Sequence, residues 1–144
     1  MGAVVHGRVE RIVQWGDLDA LGIVFYPRYY EWIDAAAHAF FDQLGLNLNT
    51  LWHDRHIQFG LVHSGCRYRQ PGRYQQQIRI ITKLTEVADK TLTLGHRIKD
   101  GSDGHLMVEG REERICIDVS DAQRFRAISI PPDIRKTLTA AIPG

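Results

Sequence analysis

Two aspartates one residue apart, Asp17 and Asp19, precede a turn containing Gly22, and Pro27 follows just ahead of a strongly apolar stretch. Proline is favoured in the first turn of a helix, where its missing N–H would have had no partner anyway. This order puts two carboxylates beside a helix N-terminus. Backbone N–H groups there lack intrahelical acceptors, so they can bind an anion or polarise a carbonyl. A carboxylate next to a polarised carbonyl can hydrolyse it, by direct attack or by taking a proton from water. The two acids need not be equivalent: one can accept the N–H groups of the turn while the other faces a substrate.

Other reactive residues carry weaker patterns. His53 and His56 have the helical i, i+3 spacing of two metal ligands, but no third ligand accompanies them, and they read as a surface pair. His63 and Ser64 are adjacent, and neighbours in a strand point to opposite faces, which makes them a poor base and nucleophile. No G-x-S-x-G elbow is present. Cys66 and Cys116 lie fifty residues apart without metal or redox spacing.

The elements that would position the acids follow from periodicity. Val9–Trp15 suits a first strand that delivers the acids at its exit. After Pro27, apolar residues at Tyr30, Ile33, Ala37, Phe40, Phe41 and Leu44 keep the 3-and-4 spacing of a helix face, and Gly45 is the expected stop. Trp32, Ala35, Ala36 and Ala39 extend the apolar surface. Only Glu31, Asp34, His38 and Asp42 form a polar stripe, so the helix is expected to be covered on most sides. Residues 46–56 form a connection with a short helical turn. Strands are expected at Ile57–Arg69, Tyr74–Val87, Thr91–Lys99, Leu106–Asp118 and Arg124–Ile130, joined by short turn-rich links, with a small terminal helix over Asp133–Ala141.

One long helix followed by an antiparallel meander is an α+β layout. A single helix leaves sheet edges and one sheet face bare, which predicts a homodimer, and a dimer of dimers (homotetramer) as the larger assembly. Length and composition bound the rest. A chain of 144 residues with 44% hydrophobic content suits one domain, 1–144, and a formal charge of +1 offers no bulk attraction to nucleic acid or membrane. No leader-like apolar core or membrane-length run is seen, and MGAVVH lacks the Ser or Thr of a myristoylation signal, which predicts a cytoplasmic protein with reduced thiols.

The run GDLDALGIVFYPRYYEWIDAA, Gly16 to Ala36, resembles the signature of the hotdog-fold acyl-CoA thioesterases of the 4-hydroxybenzoyl-CoA thioesterase family, roughly G-D-x-D-x-x-G-I-V-x-Y-P-x-Y-x-x-W-x-D-x-A. The resemblance implies a hotdog fold: one long central helix wrapped by a curved antiparallel sheet of five to six strands. It implies a thioester hydrolase that converts an aromatic, hydroxybenzoyl-type acyl-CoA to free acid and CoA, with no cofactor and no metal. Asp19 would be the catalytic carboxylate, as nucleophile or general base, and Asp17 would support the turn. The backbone amide of Tyr26 would hydrogen-bond the thioester carbonyl. Asp34 would contact the ring hydroxyl, with Gly22 and Trp32 also at the substrate, and Lys90, Arg124 and Arg126 would meet the CoA phosphates. Ala88 and Asp89 depart from the resemblance, because relatives carry further basic residues there. The alternatives are an aliphatic acyl-CoA or acyl-carrier-protein thioesterase, and a non-catalytic acyl-CoA-binding module.

Overall fold

The computed structural model describes residues 6–143; Gly2 and the rest of the first five residues, read above for leader and lipidation signals, lie outside them. Strand β1 (Gly7–Ile12) runs into a single 3₁₀ turn, Trp15–Asp17, and helix α1 spans Pro27–Gln43. A short turn, α2 (Leu48–Thr50), continues as a π-turn at Leu51–Arg55 and enters β2 (Ile57–Tyr68). Three strands follow, β3 (Gln77–Val87), β4 (Thr91–Asp100) and β5 (Leu106–Asp118), then a two-residue strand β6 (Arg126–Ala127) and helix α3 (Pro132–Ala141). All strand pairs are antiparallel, in the order β1-β3-β4-β5-β2, with β6 beside the end of β5. The α+β layout read from the sequence is the one observed. Among the described residues, no helix is long and apolar enough to cross a membrane.

Helix α1 buries Tyr29, Trp32, Ile33, Ala36, Ala37, Phe40 and Phe41, an unbroken 3-and-4 stripe laid against the sheet. Its N-terminal half packs with Val24, Ile78, Ile80, Ile98, Met107 and Val108. Its C-terminal half packs with Leu84, Leu92, Leu94, Phe59 and Cys116, closed off by Ile134 and Leu138 of α3. Gly45, at φ +77°, turns the chain out of α1 while the Leu46 N–H returns to the Phe41 carbonyl.

Several boundaries differ from expectation. The buried stripe keeps the expected Ile33, Ala37, Phe40 and Phe41 but widens to take in Tyr29, Trp32 and Ala36, while Tyr30 and Leu44 are only half-buried. An almost all-round apolar helix leaves its core face undecided until the sheet chooses. Ala35, His38 and Asp42 are exposed, so α1 is not covered on most sides within one chain. The first strand stops at Ile12, and Trp15, 74% exposed, belongs to the 3₁₀ turn. Strand β3 begins only at Gln77, because Gln75 takes a left-handed φ of 65° that a strand cannot hold. The last strand shrinks to two residues because β4 occupies the flank of β5 up to Ile115.

Phe40 is fully buried between the two halves of the core, whereas Leu21 is 80% exposed. Phe40→Ala is expected to cost about 3–5 kcal/mol, and Leu21→Ala less than about 0.5 kcal/mol. Urea denaturation of both variants checks the contrast.

Candidate active site

Residues 13–29 build the site through a run of local backbone and carboxylate hydrogen bonds. The Asp17 carboxylate, 7% exposed as a residue, accepts the Gln14 N–H at 2.8 Å and lies 3.8 Å from Arg11 and 3.7 Å from Arg28. Its carbonyl accepts the Phe25 N–H at 2.8 Å, which pins the far end of the turn just before the helix. Between these points Asp19 and Ile23 bridge at 2.8 Å, and Gly22 closes the tip with φ +77°, a conformation a residue with a Cβ adopts only under strain. Asp19 is half-buried, and one of its carboxylate oxygens accepts the Leu21 N–H at 2.8 Å. Its Oδ2 has no hydrogen-bond partner among the described residues.

The helix start leaves one backbone donor free. Pro27 has no N–H, Arg28 donates to the Phe25 carbonyl at 2.9 Å, and Tyr29 donates to the Tyr26 carbonyl at 3.1 Å. Across 25–29 the Tyr26 N–H alone has no acceptor among the described residues. Asp19 and Tyr26 line one cavity of about 380 Å³, with Tyr29, Tyr68 and Pro71 completing apolar walls. The loop before β3 covers it closely: Gly72 donates to the Tyr29 hydroxyl at 3.0 Å, and a Cβ at Gly72 would stand 2.6 Å from Val24 Cγ2. Burial raises the Tyr29 and Tyr68 phenols above their ordinary range, with Tyr30 beside Tyr68 adding to its shift. Both stay protonated at neutral pH and can donate but not act as bases. A larger cavity, about 540 Å³, lies at the β1–β3 edge against Glu10, Arg11 and Arg79. Glu10 is engaged there by Arg8 and Arg79, and no free helix-end donor enters it.

The other expected site residues are dispersed. Trp32 is buried in the core, edge-on to Tyr29 and under the Arg11 guanidinium at 4.8 Å, and does not line the Asp19 cavity. Gly22 shapes the turn without lining it. Asp34 lies on a separate cavity of about 60 Å³ between α1 and β2. Lys90, Arg124 and Arg126 are exposed in segments beside the core at the C-terminal half of α1 and do not line the Asp19 cavity. Arg126 pairs there with Asp118, whose carboxyl is held down to about 2 by Ser120 and by that arginine. Ala88 and Asp89 serve that end differently: Arg135 donates to both carbonyls, and Ser129 donates to the Asp89 carboxylate.

His53 and His56 are exposed, and His56 closes the π-turn with φ 55°. Asp100, Asp103 and His105 do converge in the β4–β5 loop, where their carboxylates accept loop N–H groups, the Ser102 hydroxyl and the His105 ring. Tyr29 and Tyr68 are further cavity residues. For Tyr29 a signal existed, its i+3, i+4 and i+7 spacing to Trp32, Ile33 and Ala36; for Tyr68 none did.

A family model described as the thioesterase-like superfamily matches residues 13–138. This chain belongs to that superfamily. The 4-hydroxybenzoyl-CoA thioesterase of Pseudomonas sp. (strain CBS-3) is 28% identical over 133 residues, covering 87% of this chain and 92% of that protein. A solved gentisyl-coenzyme A thioesterase is 32% identical with a TM-score of 0.78, covering 89% of this chain and 98% of that one. A solved mutant of 4-hydroxybenzoyl-CoA thioesterase complexed with 4-hydroxybenzoyl-CoA superposes with a TM-score of 0.86 at 25% identity, over 94% of this chain and 99% of that one. The hotdog fold expected from the sequence is thereby shown.

Removing the Asp17 carboxylate strands the Gln14 N–H and leaves Arg11 and Arg28 without their shared anion. Asp17→Ala is expected to destabilise the fold by about 1–3 kcal/mol, measured by urea denaturation.

Proposed function

We propose that this chain is an acyl-CoA thioesterase acting on an aromatic, hydroxybenzoyl-type acyl group. The hydrolase class follows from the superfamily, and the acyl-CoA substrate is supported by relatives named for such substrates. The carrying observation is the pairing, in one cavity, of the Asp19 carboxylate with the unbonded N–H of Tyr26. A thioester carbonyl hydrogen-bonded by that N–H gains electrophilicity as charge grows on its oxygen. A preorganised donor of this kind is worth about 10²–10³ in rate, reinforced by a helix-end charge of roughly half a unit.

Asp19 then serves hydrolysis by one of two balanced routes. In the first, its oxygen attacks the carbonyl carbon and expels CoA thiolate, and water hydrolyses the resulting mixed anhydride. In the second, it takes a proton from a water that attacks directly. Asp17 is the supporting acid, already occupied by turn and arginine contacts.

Asp34 and the basic residues enter through a second copy of the chain. Eight residues separate Tyr26 from Asp34 along α1, about 12 Å of helix, more than one benzene ring spans. Asp34 also opens on a different cavity from Asp19 and Tyr26, so we place the contact between a bound ring and Asp34 across two copies of the chain. Strand β2 is a sheet edge whose Leu61 and Val62 are exposed, which supports a homodimer formed along it and, with a second interface, a dimer of dimers. We place Lys90, Arg124 and Arg126 at the CoA phosphates on the same footing, as exposed cations at the end of the molecule remote from the chemistry.

Asp19→Asn is expected to retain folding and acyl-CoA binding while lowering kcat on 4-hydroxybenzoyl-CoA by orders of magnitude. Near-normal turnover in a clean preparation would overturn the assignment. In a single turnover in ¹⁸O-water, label in the Asp19 carboxylate marks attack by Asp19, whereas label confined to the product acid arises by either route. Comparing kcat/KM on hydroxybenzoyl, benzoyl and butyryl thioesters is expected to rank the aromatic substrates first; a butyryl preference would overturn the substrate class.

A further inference from the structure

Beneath α1 the sheet buries three charged or titratable side chains that the proposed chemistry does not use: His96, Glu112 and Arg114, each at most 3% exposed. They form one chain of contacts. The Thr82 hydroxyl meets His96 Nδ1 at 2.8 Å, and His96 Nε2 meets Glu112 Oε1 at 2.7 Å. A neutral imidazole satisfies both, with Nδ1 accepting from Thr82 and Nε2 donating to the carboxylate. Arg114 Nη2 donates to Glu112 Oε2 at 2.7 Å and to Asp34 Oδ1 at 2.8 Å, while Nη1 donates to the Phe59 carbonyl at 3.2 Å. Arg114 Nε is buried without a partner.

A buried ion pair of this kind is a poor source of stability, because apolar residues of similar volume serve as well or better. What it supplies is geometry. The guanidinium is fixed from below by Glu112 and Phe59, and its outward-facing contact is Asp34, a side chain 46% exposed on α1. His38 Nε2 lies 3.4 Å from the same Asp34 oxygen. Asp34 Oδ1 is thereby tied down, and Oδ2 has no hydrogen-bond partner among the described residues. The small cavity at this point, about 60 Å³ between Tyr30, Asp34, Ser64, Cys66 and Glu112, holds one or two water-sized groups but no ring.

We infer that Arg114, braced by Glu112 and His96, is a positioning residue that fixes Asp34 as a hydrogen-bond acceptor, so that the site selects aromatic thioesters bearing a donor opposite the carbonyl. This rests on the acyl-CoA thioesterase reading. It goes beyond it in assigning discrimination to a buried cation that touches no substrate. Hydroxyl and amino substituents satisfy the free Asp34 oxygen; fluorine, of similar size, faces a carboxylate with a repelling partial charge.

The test measures kcat/KM on 4-hydroxybenzoyl-, 4-aminobenzoyl-, 4-fluorobenzoyl- and benzoyl-CoA for the wild type, Arg114→Met, Arg114→Lys and Asp34→Asn. A hydrogen bond to a charged acceptor predicts a wild-type preference for hydroxyl over fluorine of roughly 10- to 100-fold. Arg114→Met should collapse that ratio toward the Asp34→Asn value, and Arg114→Lys should restore part of it. A uniform fall on all four substrates with the ratio intact would make Arg114 merely structural and overturn the inference. If Arg114→Met lacks a cooperative unfolding transition, Arg114→Lys and the wild-type ratio decide: a ratio near one overturns the inference, and one above tenfold that falls in the lysine variant supports it. Absence of turnover on every substrate by the wild type overturns the thioesterase reading instead, and the inference with it.

Discussion

The N–H of Phe25 donates to the carbonyl of Asp17 at 2.8 Å, and this bond closes the segment between β1 and α1 into a fixed loop. Because the loop is closed there, the helix begins at Pro27 and not earlier. Because Pro27 has no N–H and the next two donors turn back on Phe25 and Tyr26, one N–H is left over, that of Tyr26. The same closure holds Asp19 half-buried beside it, with one carboxylate oxygen engaged and the other free. The proposed reactive pair is thus what the hydrogen bonding of the Asp19 turn and the helix start leaves free.

Holding that loop in place falls to the core. The stripe from Tyr29 to Phe41 fixes the depth and rotation of α1 against the sheet, and the Tyr29 hydroxyl carries the fit outward by accepting the Gly72 N–H over the cavity. Asp34 shows the same design as Asp19, a carboxylate with one oxygen tied by the protein and one left open. The difference is in what ties it. Asp19 is held by its own turn, while Asp34 is held by a guanidinium anchored in the sheet across eighty residues of sequence. Local hydrogen bonds hold the carboxylate proposed for the chemistry, and long-range buried charges hold the one proposed for the ring.

That division also explains what was legible in the sequence. The acids, the turn glycine, the proline and the helix are consecutive, so their arrangement follows from local rules, and the strands announced themselves through alternation and turn residues. Where local preference was degenerate, reading slipped. An apolar surface on nearly every side of α1 could not say whether Tyr29 or Tyr30 faced inward, and Trp32 looked available for substrate when the sheet had claimed it. The buried network was visible only as oddities: His96 stands among Leu92, Leu94 and Ile98 on an inward face, and Glu112 and Arg114 alternate with it from the next strand. That these residues meet one another and Asp34 depends on strand register, which no local pattern carries. Lys90, Arg124 and Arg126 likewise share an end of the molecule only because β6 takes up the flank of β5 that β4 vacates.

In the proposed mechanism the Tyr26 N–H polarises the thioester carbonyl beside Asp19. Infrared difference spectroscopy of 4-hydroxybenzoyl-CoA carrying ¹³C at its carbonyl, bound to the Asp19→Asn protein, reads that polarisation directly. A preorganised donor at the helix end is expected to shift the carbonyl stretch to lower frequency than that of the same thioester in water. A bound carbonyl that absorbs at or above its frequency in water would contradict it.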